Sequence, residues 1–187
     1  MTHSIDIPEP AVDLAQLIGL FFPTGDDSDL GVFESVGSAA VPNPYGKLLD
    51  HHSHMTVAVE SHFNSPVNVR VVRTKKDDTW YAREILLSTQ DDQTIVQYGI
   101  VRIRFKMLAK PVWREIEAGL KPLGRVLIEH EVMRQVELVG LWRVDCGPRL
   151  ASYFSVKNHR LTFGRTARIF CDSEPAIELL EIVRPAE

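Results

Sequence analysis

Apolar and polar residues change their spacing along the chain, and the spacing predicts where strands and helices lie. From Val67 onward "VNVRVVR" (67–73) alternates with a period of two, the pattern of a strand whose successive side chains point to opposite faces. "WYAREILLS" (80–88) and "TIVQYGIVRIRF" (94–105) follow, rich in branched and aromatic residues, and the joints "KKDD" and "TQDDQ" are short and polar. Three strands in an antiparallel meander is the economical expectation. Upstream, "KLLDHHSHMTVAVESHF" carries apolar residues at Leu48, Leu49, Met55, Val59 and Phe63, helical in its second half, with Asn64, Ser65 and Pro66 ending it. Downstream, Pro111 opens a helix that runs through "VWREIEAGL" to Gly119. "KPLGRVLIEHE" predicts a short helix or a loop, "VMRQVELVGLWRV" a strand, and "DCGPRLASYFSVKNH" a loop. "LTFGRTARIF" and "PAIELLEIVRP" close the chain as strands.

Strands therefore dominate, with helices between meanders. That is the pattern of an α+β protein with a mostly antiparallel sheet and helices packed on one face. At 187 residues the chain fits a single domain spanning 1–187. Residues 1–46 hold turn-formers, "PTGDDSD" (23–29) and "VPNPYG" (41–46), around an apolar helix candidate from Val12 to Phe22. They read as an amino-terminal wrap on a core of residues 47–187.

Two strands carry a charge where alternation demands an apolar residue. One face of the second strand presents Tyr81, Arg83, Ile85 and Leu87, and one face of the last presents Ile177, Leu179, Glu181 and Val183. A buried unpaired charge costs several kcal/mol, about 3–5 where a partner has been removed. Arg83 and Glu181 therefore need partners. Either they pair with each other or meet solvent at an edge, or they form the polar end of a closed pocket. In the pocket Arg83 would fork onto a ligand carboxylate and Glu181 would handle a proton.

Composition narrows the function classes. The formal charge of −4 argues against a nucleic-acid partner, which leaves a basic footprint on a whole domain. The local clusters at Arg70, Arg73, Lys75 and Lys76 and at Arg102, Arg104 and Lys106 read as solvated strand faces. No apolar run approaches the ~18 residues of a membrane span, and the amino terminus lacks a secretion signal, so a cytoplasmic location without a membrane partner is expected. Cys146 and Cys171 stand apart without CxxC spacing and read as reduced structural thiols. "HHSH" (51–54) with His62 has a metal-like density of histidine, but His51, His52 and His54 lack an acidic or cysteine complement, so no metal is expected. Trp80, Trp113 and Trp142 read as core or interface anchors. No phosphate loop, GxSxG elbow or HExxH motif occurs.

Four stretches, "LLDHHSHMT" (48–56), "YAREILL" (81–87), "KPLGRVLI" (121–128) and "FGRTARIFCDSEPAIELLEIVRP" (163–185), occur in the order and approximate spacing of the chorismate pyruvate-lyase family. The chain resembles that family from about Leu48 to Pro185. The resemblance implies that sheet and helices enclose a buried ligand pocket, and that the chain is a cofactor-independent carbon–oxygen lyase that converts chorismate to 4-hydroxybenzoate and pyruvate at the entry to ubiquinone biosynthesis. It implies that Arg83 grips the ring carboxylate and that Glu181 is the general acid or base. Met55 and Leu123 join them in contacting an aromatic carboxylate such as chorismate or hydroxybenzoate. The chain departs at Ile100, where the family has an arginine, which leaves Arg102 or Arg165 to hold the enolpyruvyl carboxylate. It also has one extra residue between Pro175 and Glu181, absorbed by a β-bulge or else passing the acidic role to Glu178.

Two alternatives stay open. The ligand-sensing domains of some transcription regulators look like the same fold, and such a domain would bind a small carboxylate without chemistry, although no helix-turn-helix segment is read ahead of this one. A lyase giving 3-hydroxybenzoate or a related aromatic is the other. The oligomeric state is open between monomer and dimer.

Overall fold

The computed structural model describes residues 12–23 and 29–186. The first eleven residues of the expected wrap and the centre of its 23–29 turn lie outside the described residues. The chain forms α1 (Leu14–Gly19), β1 (Gly31–Val36), α2 (Tyr45–Leu49), α3 (Met55–Phe63), β2 (Val67–Lys76), β3 (Tyr81–Thr89) and β4 (Ile95–Ile103). It continues with α4 (Lys110–Ala118), α5 (Leu123–Glu129), β5 (Arg134–Cys146), α6 (Pro148–Phe154), β6 (Leu161–Cys171) and β7 (Glu174–Val183).

All seven strands join one antiparallel sheet in the order β1-β5-β6-β7-β4-β3-β2. The sheet is two meanders, β2-β3-β4 and β5-β6-β7, sutured where β4 pairs with β7. The turns within the first meander owe their shape to acidic side chains. Asp77 accepts from the backbone N–H groups of Thr79 and Trp80, each at 2.7 Å, and Asp92 accepts from that of Thr94 at 3.0 Å. The α+β class and the mostly antiparallel sheet are as the spacing of apolar residues predicts.

Helices α2, α3, α4 and α5 pack on the face that carries Arg83 and Glu181. Their apolar residues meet the sheet in two clusters, Ile116, Val126 and Leu127 with Val101, Ile103 and Leu179, and Val59 with Ile85, Leu87 and Val183. The expected breaks are present: a proline opens α4 and Gly119 ends it in the left-handed region at φ 69°, while Asn64 ends α3 at φ 50°. The opposite face buries Ala82, Leu86, Tyr98, Ile100, Leu180 and Ile182 beneath α1 and α6.

Two elements differ from expectation. The segment 145–159 is not all loop, because α6 forms there with Pro148 in its first turn and Leu150, Ala151 and Phe154 buried. At seven residues it is too short for its periodicity to show, and packing on the sheet stabilises it. β1, within the expected wrap, is a sheet strand paired with β5 from Gly31↔Cys146 to Val36↔Leu141.

Candidate functional site

The sheet floor under α3 and α5 has three successive levels, each made of residues paired across strands. Arg83, Val101 and Leu179 form the first, Ile85, Gly99 and Glu181 the second, and Leu87, Gln97 and Val183 the third. Gly99, with no side chain, lowers the middle of the floor, and Ile85 leans toward it with Cδ1 3.3 Å from where a Cβ would stand. Above it, Met55 and Thr56 at the start of α3 and Leu123 and Gly124 at the start of α5 form the roof, and the whole encloses a chamber. The four residues singled out from the sequence, Met55, Arg83, Leu123 and Glu181, all line this one space. With strands about 4.8 Å apart and about 3.4 Å per residue, the backbones of Arg83 and Glu181 stand about 12 Å apart on the same face.

Arg83 is 1% exposed. Its Nη1 donates to the Ile116 carbonyl at the end of α4 at 3.1 Å, the Tyr81 phenol lies beside it, and its Nε–H is buried with no hydrogen-bond partner. It has no carboxylate partner among the described residues. Burial pulls its pKa below the usual guanidinium value, yet an arginine keeps its charge in any protein environment. The site thus holds a desolvated cation with an unused donor.

Glu181 faces the same chamber but is not alone. Its Oε2 accepts from Nε of Arg165 at 2.8 Å, across the β6–β7 pairing of Arg165 with Glu181. Arg165, also 1% exposed, donates its remaining hydrogens to the loop between α2 and α3. Nη1 reaches the carbonyls of His51 at 2.9 Å and Leu49 at 3.4 Å, and Nη2 reaches that of Ser53 at 3.1 Å. Of the two arginines left as stand-ins by the departure at Ile100, Arg165 lines the chamber. Arg102 pairs with Glu178 on the opposite face, over the Trp80 ring, and Ile100 is buried on that face too. The extra residue of the last strand sits at Ala176, where the register between β6 and β7 shifts. Beyond it the register with β4 is regular, so Glu181 stands opposite Gly99 on the chamber face and Glu178, three residues away, faces the other side.

Of the "HHSH" histidines, His51 and His54 are turned to arginines, while His52 meets the Val136 carbonyl at 3.2 Å. His51 donates from Nε2 to the Leu48 carbonyl at 2.7 Å and accepts at Nδ1 from the Ser53 backbone N–H and from Arg165. His54 accepts at Nε2 from Nε of Arg134. Burial and the neighbouring Arg134 and Arg165 push the His54 pKa down to about 4, so the ring is neutral at physiological pH. His51 is also lowered, by burial and then by Arg165. Among the described residues no three metal-ligating side chains converge, and no helix is long and apolar enough to cross a membrane.

Several chamber residues were not anticipated, among them Thr56 and Gln97. Gln97 is 3% exposed and lines the third level of the floor. Its signal in the sequence was the same as that of Arg83, a polar residue on the face shared by Gly99, Val101 and Ile103.

Fold and site together define a class of architecture: a single antiparallel sheet with a chamber between its floor and the starts of two helices. No family model matches the sequence, and no curated protein matches it. Solved structures do. PhnF from Mycobacterium smegmatis is similar with a TM-score of 0.52 at 12% identity, covering 71% of this chain and 64% of that one. The effector domain of PhnF gives 0.53 at 12% identity, covering 71% of this chain and 88% of that domain. A transcriptional regulator of the GntR family from Enterococcus faecalis gives 0.46 at 11% identity over 64% and 96%. The matched part of the chain spans less than two-thirds of the length of PhnF. At these identities the likeness is one of fold.

These matches correct the expectation of an enzyme. The solved structures whose fold this chain shares include PhnF and its effector domain, and the assignments to chorismate cleavage, 4-hydroxybenzoate and pyruvate formation and ubiquinone biosynthesis are withdrawn. The Glu181 carboxylate is engaged by Arg165 in a contact that ties the sheet to the 49–53 loop, a structural use that the resemblance did not imply.

Proposed function

We propose that this chain is a sensing domain that binds a small carboxylate, best an aromatic one, inside the chamber and returns it unchanged. The observation that carries this reading is Arg83: a guanidinium removed from water, with no carboxylate beside it and an N–H left over. A ligand carboxylate supplies what the fold withholds, and a charge-assisted pair in so dry a site is strong. Val101, Ile85 and Leu179 offer apolar surface to a ring lying over Gly99. Glu181, at the next level, accepts a hydrogen bond from a donor on the ring. Met55 and Leu123 close the roof.

The chamber is tight. Water centres can occupy about 40 Å³ of it, room for about three waters. A ring enters only when the roof shifts, and Met55, unbranched and adaptable, is suited to move. Occupancy is thereby coupled to the position of α3 and α5, as a sensor requires. The similarity to the effector domain of PhnF supports the same reading.

Isothermal titration of benzoate and 4-hydroxybenzoate into the wild-type protein and into Arg83→Met tests it. Saturable binding that Arg83→Met weakens by tenfold or more is expected, and chorismate incubated with the protein should release no pyruvate. Absence of binding, or equal binding by the variant, defeats the reading.

A further inference from the structure

Gln97 sits in a row where packing alone asks for an apolar residue. Its cross-strand neighbours are Leu87 on β3 and Val183 on β7, both buried. The residue is 3% exposed, its Oε1 is buried with no hydrogen-bond partner, and its amide nitrogen bonds none of the described residues. Nearly every buried polar group in a folded protein has a partner, and leaving one without costs stability. Which end of the amide bears the oxygen is assigned by convention, but either orientation leaves the same unpartnered amide in the chamber wall.

The place of this amide on the floor gives it a role. Arg83 stands at the first level, Glu181 at the second and Gln97 at the third, all on the chamber face of the sheet. A ligand whose carboxylate lies on Arg83 points its far end toward Glu181 and Gln97 together. Glu181, as a carboxylate, only accepts, whereas a primary amide both donates and accepts.

We propose that Gln97 is a specificity-determining residue that reads a second polar substituent on the ligand, a hydroxyl or amide able to give and take a hydrogen bond, beside the donor met by Glu181. The inference rests on the carboxylate reading above and narrows it. The preferred ligand class is an aromatic acid with two adjacent polar substituents remote from its carboxylate, over acids with one or none. A site built to bond a polar group discriminates strongly against an analogue that lacks it, because its own buried group is then left unpaired.

The test titrates benzoate, 4-hydroxybenzoate and 3,4-dihydroxybenzoate into wild type and Gln97→Leu and records the thermal midpoint of each protein. Wild type should bind the dihydroxy acid at least tenfold more tightly than the monohydroxy acid. Gln97→Leu should reduce that ratio to threefold or less, keep 4-hydroxybenzoate affinity within threefold, and unfold at the same or a higher temperature. An unchanged ratio in the variant, or no preference in wild type, overturns this inference and leaves the carboxylate reading standing. A lowered midpoint also overturns it, since the amide would then serve the fold. If wild type binds none of the three acids, the carboxylate reading falls and this inference falls with it.

Discussion

Replacing Arg83 with methionine should make the protein more stable. An arginine placed for the fold would be missed, and one placed for a ligand is a burden until the ligand arrives. The guanidinium is 1% exposed, and the effective penalty of burying such an ion is several kcal/mol. Against it stand the neighbouring Tyr81 phenol and a hydrogen bond from Nη1 to the Ile116 carbonyl at 3.1 Å, the latter worth about 1.5–3 kcal/mol for a charged donor. The orphaned Nε–H adds about 1–3 kcal/mol to the cost. Removal of the side chain does not strand the carbonyl, because the Gly119 N–H also reaches it at 3.1 Å. Methionine keeps an unbranched stem of similar reach and fills the space without a charge. The balance favours Arg83→Met by about 1–3 kcal/mol, and in a chain of this size each kcal/mol is worth about 2–4 °C. Urea and thermal unfolding of wild type and variant, without ligand, measure it directly. A variant less stable than wild type by more than about 1 kcal/mol would refute the reasoning, since Arg83 would then be a structural residue and the chamber would lose its main claim to an anion.

Arg165 behaves in the opposite way. Arg165→Met leaves Glu181 buried without its cation and frees the carbonyls of Leu49, His51 and Ser53, so a loss of about 3–5 kcal/mol is expected in urea unfolding. Glu181→Gln, which keeps those loop contacts, should cost clearly less. Lowering the pH should destabilise the protein through His54, which Arg134 and Arg165 both face. Its folded pKa of about 4 lies below the ordinary 6.5, so the effect is absent above pH 6.5. Stability falls between pH 6.5 and 4 as the unfolded chain takes up a proton the folded one refuses. The size is about 1.4 kcal/mol per pH unit, up to about 3 kcal/mol, and the urea midpoint of His54→Gln should show a shallower pH slope than wild type. Gly164→Ala would place a methyl 2.7 Å from the Glu181 carbonyl oxygen, and a drop in thermal stability equivalent to about 1–3 kcal/mol should follow.

Much of the fold was legible along the chain. The period-two runs from Val67 to Phe105 predicted the first meander, and Pro111, Gly119 and Asn64 marked helix ends where they occur, because turns and caps depend on neighbouring residues alone. Short elements were not legible. β1 and α6, of six and seven residues, show too few repeats of any period and owe their form to the strands beneath them. For the site, alternation alone showed that Arg83 and Glu181 break apolar faces, since the side of a strand a residue takes follows from its position. It did not show that they share a chamber. That follows from the β4–β7 pairing, which joins segments some 80 positions apart and which no local pattern specifies.

The same limit explains how the sequence misled about function. The stretches around Met55, Arg83, Leu123 and Glu181 lie in the order of a lyase family and do meet at one place, but order records only which residues are available. The tertiary structure decided their partners: Arg165 comes across from β6 to take Glu181, Arg83 is left with a carbonyl and an idle N–H, and Gln97 faces the chamber unbonded. Polarity, period and turn chemistry are properties of a few consecutive residues and so can be read from the sequence. Whether a buried charge is satisfied or left waiting depends on what the rest of the chain brings to within about 3 Å, and only the folded molecule contains that distance.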